Sequence, residues 1–287
     1  MPLCGKKSGS SQELDSRVKK KMAKNIHVEY RVFEQRDALF RATAERFVES
    51  IRSAVAAWGM ARIAISGGNS PKAVFSLLAD PNEPYRAAIP WDRLWVFWVD
   101  DRCVPPEHPD SNYGVARELL LDEVPLPPDQ VIRIEGELDP EEAAARYESA
   151  IRGNYRLEGA EGPIFDVLQL GMGDDGHCAS LFPHTAALHE VIRIAVANHV
   201  PQQKQSWRVT LTWPVINAAR DVFFLIDGPA KADPLGRVLL GPYDPETLPS
   251  QLIQPQNGRL LFLLDAAAAA HLPAPGADGT GTLEIAR

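Results

Sequence analysis

Seven short, near-continuously apolar segments recur along the chain: Ala61–Ile65, Leu94–Val99, Asp166–Gly171, Val191–Ala197, Val209–Thr212, Val222–Ile226 and Leu260–Leu264. Each has the length of a buried strand. Helical patterns fall between them, at Pro71–Ala79, Asn112–Leu121, Glu141–Arg152, Pro214–Ala219 and Lys231–Leu240. A longer amphipathic helix is predicted ahead of them, over Asp37–Trp58, where Phe40, Ala44, Phe47, Val48, Ile51, Val55 and Trp58 paint one face. Strands that are apolar throughout and alternate with helices must be covered on both sides. The pattern therefore predicts an α/β fold: a doubly wound, mostly parallel, Rossmann-like sheet with helices on both faces.

Pro- and Gly-rich stretches at 80–90, 122–129 and 241–258 read as surface loops, with no clean linker and no internal repeat. The expected organisation is a single α/β domain over residues 27–287, with Ala266–Ala270 continuing into a short helix. Residues 1–26, polar with a basic run from Arg17 to Lys24, read as a disordered, solvated tail or a cloning-derived extension. The net charge of −8 argues against general nucleic-acid binding, yet leaves room for a small phosphorylated ligand, which needs only a few local cations. Three widely spaced cysteines, Cys4, Cys103 and Cys178, suit reduced thiols in a cytoplasmic protein. No stretch approaches a membrane span. The expected assembly is a monomer or small homo-oligomer.

In a sheet of this kind ligands bind beyond the carboxyl ends of the strands, and three of those ends carry chemistry. Ser66-Gly67-Gly68-Asn69-Ser70-Pro71-Lys72 joins a strand to a helix. A glycine turn there exposes helix N–H groups to an anion, most naturally a phosphate, although such a turn is also an ordinary connection. It lacks the endings of a P-loop or a dinucleotide fingerprint. Asp100-Asp101-Arg102 follows the next strand. Arg102 has the fork for phosphate or carboxylate, or else pairs with its neighbouring acids, and Asp110-Ser111-Asn112 reads as a helix N-cap. Gly171-Met172-Gly173-Asp174-Asp175-Gly176-His177 follows a third. Asp175 is near enough to orient His177 as a general base, set against the structural role of most lone histidines. Later, Arg208 and Lys231 add cations near strand ends, Lys231 being otherwise a solvated lysine.

Together these segments resemble the 6-phosphogluconolactonase family and its relatives, the glucosamine-6-phosphate isomerase/deaminases, from about residue 28 to 270. The anchors are Ser66–Pro71, Asp100–Pro105 with Asp110–Asn112, Gly171–His177 with Ser180-Leu181-Phe182-Pro183, Arg208–Thr212, and Gly228 with Lys231. The chain departs mildly from the family pattern, carrying Asp174 where a proline is usual, Cys178 for threonine and His184 for glycine. The extra acid is expected to raise the pKa of His177.

The resemblance implies hydrolysis of 6-phospho-D-glucono-1,5-lactone without metal or organic cofactor. His177, oriented by Asp175, would activate water. Asp100 would position a hydroxyl or a cation. The Gly67-Gly68 turn with Asn69, Ser70, Arg102, Arg208 and Lys231 would hold the sugar phosphate. The isomerase/deaminase branch carries an Asn-Glu-Pro segment after the histidine, for which Ser180-Leu181-Phe182-Pro183 offers no carboxylate. A sugar-phosphate-sensing regulator would need a DNA-binding unit, for which residues 1–36 are too short and polar. Cys178 as nucleophile would need a base other than its sequence neighbour, and His177, His184 and His189 do not form a compact metal set.

Overall fold

The structure, a computed structural model, describes residues 25–159 and 161–286. The tail read over residues 1–26 thus lies outside the described residues, except for its last two, which open a strand. Eighteen helices and strands position the site. In chain order they are β1 (Asn25–Phe33), α1 (Arg36–Trp58), β2 (Ala61–Ile65), α2 (Asn69–Ala79), α3 (Pro84–Ala88), β3 (Leu94–Trp98), β4 (Asp100–Arg102), α4 (Asn112–Leu119) and β5 (Val131–Ile132). These are followed by α5 (Pro140–Tyr155), β6 (Val167–Leu170), β7 (Ala195–His199), β8 (Trp207–Leu211), α6 (Trp213–Ala218), β9 (Asp221–Ile226), α7 (Ala232–Leu240), β10 (Arg259–Asp265) and β11 (Thr280–Ala286).

The central sheet has eight strands in the order β11-β1-β10-β9-β6-β2-β3-β5, parallel throughout except for β11. Strands β6 and β9 are buried at every residue, as their largely apolar sequences require, Gln169 and Asp221 being their polar members. Helix α1 lays Leu39, Ala44, Phe47 and Ile51 against the sheet, and the Phe47 ring meets Phe223 edge-on at 5.1 Å. Full burial of side chains such as Phe47 and Ile51 contributes roughly 1.5–3 kcal/mol each. The helix stops at Gly59, whose φ of 78° is one that a side chain disfavours.

After β2 the chain steps outward to β3 and β5, then returns to insert β6 on the other side of β2. The crevice beyond the carboxyl ends of β2 and β6 is therefore a topological switch point, where no connection crosses over the strand ends.

Three expectations change. The apolar run Val191–Ala197 does not form a strand from its start. The Glu190 carboxylate accepts the N–H groups of Ile192 and Arg193, which turns the chain, and Val191 and Ile192 are exposed. Strand β7 begins only at Ala195, and β7 and β8 leave the parallel sheet to form a three-stranded antiparallel one with β4. Val99 joins the two sheets, its N–H donating to the Ile65 carbonyl and its own carbonyl accepting from Leu211 N–H. Ala266–Ala270 forms turns instead of a helix, since the Asp265 carboxylate takes the Ala268 N–H and prolines follow at 273 and 275.

Candidate active site

The carboxyl ends of β9, β6, β2 and β3, adjacent in the sheet, open on a cavity of about 390 Å³. Gly67, Gly68, Asn69 and Ser70 line it from the β2 end, and Asp100 and Arg102 from the β3–β4 end. His177 comes from the loop after β6, Arg208 from β8, and Lys231 from the segment after β9. Of the residues expected from the sequence to act in catalysis or to hold the sugar phosphate, Asp175 alone does not line the cavity; it stands behind His177.

At the β2 end, Gly68 caps α2 with φ 115° and ψ 179°, and no side chain satisfies the first N–H groups of that helix. They remain free for an anion, which the positive end of the helix also favours. Ser70 donates its hydroxyl to Asp227, and the same carboxylate is ion-paired with Arg36 at the start of α1. Both Arg36 and Asp227 line the cavity.

The two acids after β3 have separate jobs. Asp101 is 2% exposed and accepts the backbone N–H groups of Arg102, Asn112 and Tyr113 at 2.7–2.9 Å, with the Ser111 hydroxyl at 3.3 Å. It thus fixes the entry to α4, where Ser111 is the N-cap, as its sequence position suggests. Burial pushes the Asp101 carboxyl up to about 6 against these hydrogen bonds. Asp100 faces the cavity and accepts the Ser180 hydroxyl at 2.6 Å.

Arg102 and Arg208 are direct partners across β4 and β8. Arg102 donates from Nη1 to the Asp110 carbonyl at 2.7 Å, and Arg208 reaches the Gln203 side chain at 3.5 Å. The Nε of each is buried and has no partner. Burial lowers the Arg208 guanidinium from its ordinary value, partly offset by Asp100. Two adjacent guanidinium groups with uncommitted donors repel one another and are relieved by an anion.

His177 Nδ1 lies 2.5 Å from Asp175 Oδ1. A carboxylate only accepts, so this contact assigns the proton of the neutral ring to Nδ1 and leaves the lone pair on Nε2. The ring stacks on Phe182 at 3.8 Å, and the Arg208 guanidinium sits 5.1 Å from the same Phe182 ring. Gly173 must lack a side chain, because a Cβ there would fall 2.1 Å from His177 Nδ1. Burial raises the Asp175 carboxyl, but the hydrogen bond and charge of His177 outweigh it and hold the group below its ordinary value. The arrangement equips Nε2 to take a proton within a cavity rich in cations.

The extra acid, Asp174, turns away from the histidine and pairs with Lys231 Nζ at 2.5 Å. Cys178 is 1% exposed and does not line the cavity, and burial pushes its thiol up to about 12. Among the described residues, no group of three His, Cys, Asp or Glu side chains is placed to hold a metal ion. Within the same residues no helix is long and apolar enough to cross a membrane.

The family described as glucosamine-6-phosphate isomerases/6-phosphogluconolactonase matches residues 34–262 of this sequence. A 6-phosphogluconolactonase of Synechocystis is 41% identical over 223 residues, covering 77% of this chain and 89% of its own length. The chain belongs to this family. A 6-phosphogluconolactonase of Nostoc is 38% identical over 84% of this chain and 97% of its own. Among solved structures, the 6-phosphogluconolactonase from Trypanosoma cruzi superposes with a TM-score of 0.75 at 29% identity, covering 87% of this chain and 98% of the other.

Within the family frame, several residues in or beside the cavity have no role assigned by sequence. Arg36 lies outside every motif, Asp227 merely opens the segment that carries Gly228 and Lys231, and nothing in their local sequence signals that they meet. Asn112 was read only as part of a cap, yet its side chain donates to the Asp100 carbonyl and packs where a Gly67 Cβ would be, 1.9 Å from its Oδ1. Phe182 and Ser180 belong to a quoted motif, but only the fold reveals that one carries the histidine ring and the other holds Asp100.

Proposed function

We propose that this chain hydrolyses 6-phospho-D-glucono-1,5-lactone to 6-phosphogluconate, the lactone-opening step of the oxidative pentose phosphate pathway, in the cytoplasm. The carrying observation is the Asp175–His177 pair, which leaves Nε2 free inside a cavity that also presents Arg102, Arg208, Lys231 and the N-terminal end of α2. In this reading residues 27–287 work as one unit, because the small sheet contributes Arg208 and Arg102 to the same cavity as the large one.

His177 Nε2 takes a proton from water as the water oxygen bonds to the lactone carbonyl carbon. Asp175 holds the ring in the required tautomer and stabilises the imidazolium that forms. Negative charge develops on the carbonyl oxygen, where preorganised donors are worth most. When the tetrahedral adduct collapses, the bond from the carbonyl carbon to the ring oxygen breaks, and the imidazolium proton passes to that oxygen. The product is an open-chain acid that ionises in water. The Gly67-Gly68 turn, Asn69, Ser70, Arg102, Arg208 and Lys231 hold the phosphate, and Asp100 accepts from a sugar hydroxyl.

The isomerase/deaminase chemistry of the family's other branch needs a further acid or base to open a ring and move a proton between carbons. The segment after His177 provides Ser180, already donating to Asp100, and Phe182, stacked beneath the imidazole. This favours the lactonase. A coupled assay with freshly made lactone, corrected for spontaneous hydrolysis, tests the proposal: turnover that does not exceed the spontaneous rate refutes it, and retardation of DNA at low salt would favour the regulator instead.

A further inference from the structure

Lys231, whose proposed role is to hold the substrate phosphate, is not idle without it. Its Nζ lies 2.5 Å from Asp174 Oδ1, with the lysine side chain 25% exposed and the aspartate 71% exposed. Asp174 belongs to the tight turn that carries His177: Gly173 N–H donates to the His177 carbonyl at 2.8 Å and Gly176 N–H to the Gly173 carbonyl at 3.1 Å. No hydrogen bond or ion pair joins Asp174 to His177, and the polar partner of Asp174 is Lys231. A phosphate and the Asp174 carboxylate therefore want the same ammonium group, and they repel each other at close range.

We infer that Asp174 is an affinity-setting competitor for the substrate phosphate: it occupies Lys231 in the empty site and must yield that cation for the phosphate to dock. The inference rests on the reading of Lys231 as a phosphate contact. The exchange has a direction. An ion pair this exposed is weak and screened by salt, whereas a phosphate dianion brings two charges and also meets the α2 N-terminus and the arginines. Asp174 thus loosens phosphate binding without preventing it. Because the product keeps the same phosphate, Asp174 loosens the product by the same factor and helps it leave.

The test is a double-mutant cycle, with Asp174→Asn, Lys231→Met and the double variant titrated with 6-phosphogluconate and with inorganic phosphate by calorimetry at fixed ionic strength. Direct binding keeps the measurement independent of turnover, and thermal melts verify that each variant is folded. Asp174→Asn should tighten both anions about two- to fivefold, the range of an exposed ion pair. The same substitution should have a clearly smaller effect in the Lys231→Met background, where only the direct repulsion between carboxylate and phosphate remains. Unchanged or weaker binding by Asp174→Asn, with Lys231→Met still weakening it, overturns the inference and leaves the phosphate reading of Lys231 standing. An equal gain in both backgrounds also overturns it, because Asp174 would then act through its general field and not through Lys231. If Lys231→Met itself binds both anions as wild type does, the phosphate reading of Lys231 fails and the inference falls with it.

Discussion

Replacing Asp175 by asparagine keeps the shape of the site and removes one charge. The Nδ1–Oδ1 contact of 2.5 Å is a hydrogen bond to an ionised acceptor, a class worth about 1.5–3 kcal/mol, or roughly 10- to 150-fold in rate if the whole of it is felt as the imidazolium forms. Tautomer choice adds to this. An asparagine amide offers either its oxygen or its NH₂ to Nδ1, and in the second case the ring proton moves to Nε2 and the base is lost. Asp175→Asn should therefore lower kcat on the order of 10²–10³, with KM little changed, in the coupled lactone assay. His177→Ala should cost at least as much, on the order of 10²–10⁴, and the double variant should be no worse than His177→Ala alone, because the two residues act as one unit. Linkage gives a second readout. The Asp175 carboxyl is held below its ordinary value of 3.8, so the pair's contribution to stability is present above that pH and is lost as pH falls through the lower folded value. The melting-temperature gap between wild type and Asp175→Asn should narrow below about pH 4. An Asp175→Asn enzyme that keeps more than about a tenth of wild-type turnover, or a double variant whose losses multiply, would refute the paired-base argument.

Three further outcomes are expected. Arg208→Met should raise KM for the phosphorylated lactone about 10- to 150-fold, from the loss of a charge-assisted bond of about 1.5–3 kcal/mol, and leave unphosphorylated gluconolactone unaffected. An equal loss on both substrates would remove Arg208 from phosphate recognition. His184→Gly should raise Tm by about 1–3 °C: His184 has φ 59°, a left-handed conformation costing about 1–2 kcal/mol, part of which the greater unfolded freedom of glycine cancels. A lower Tm would show that the weak His184–Glu246 contact at 3.6 Å matters more than the backbone. Cys178→Ala should remain an active hydrolase, and activity should survive EDTA. A folded but dead variant, or EDTA inactivation reversed by zinc, would overturn the metal-free, water-attack route.

What could be read from the sequence follows from where the signal sits. Strands apolar at every position, such as Val222–Ile226, announce a two-faced burial that only a covered parallel sheet provides. By contrast β1 and β11 carry no such signal because they alternate: Val28 and Tyr30 face the core, while His27, Glu29 and Arg31 do not. A search for unbroken apolar runs passes over such strands. The run Val191–Ala197 failed in the opposite sense. Its composition suits a strand, but a single carboxylate, Glu190, bends the backbone before the ladder can begin.

The candidate site divides along the same line. Residues placed by a local turn, such as Gly68 at the start of α2 or Asp175 two positions before His177, follow from chain neighbours and are visible in a string of letters. Residues that meet only through the order and pairing of the strands are not. Ser70 follows β2 and Asp227 follows β9; Arg102 and Arg208 face each other only because β4 pairs with β8. The extra acid shows the difference most clearly. From its place in the chain Asp174 is expected to act on His177, three residues away, and to raise its pKa. In the fold it reaches across to the end of β9 and meets Lys231 instead. Proximity in sequence thus suggests the base as its partner, whereas proximity in the sheet supplies the cation. The order of the strands, with β6 next to β9, is what brings Asp174 and Lys231 together.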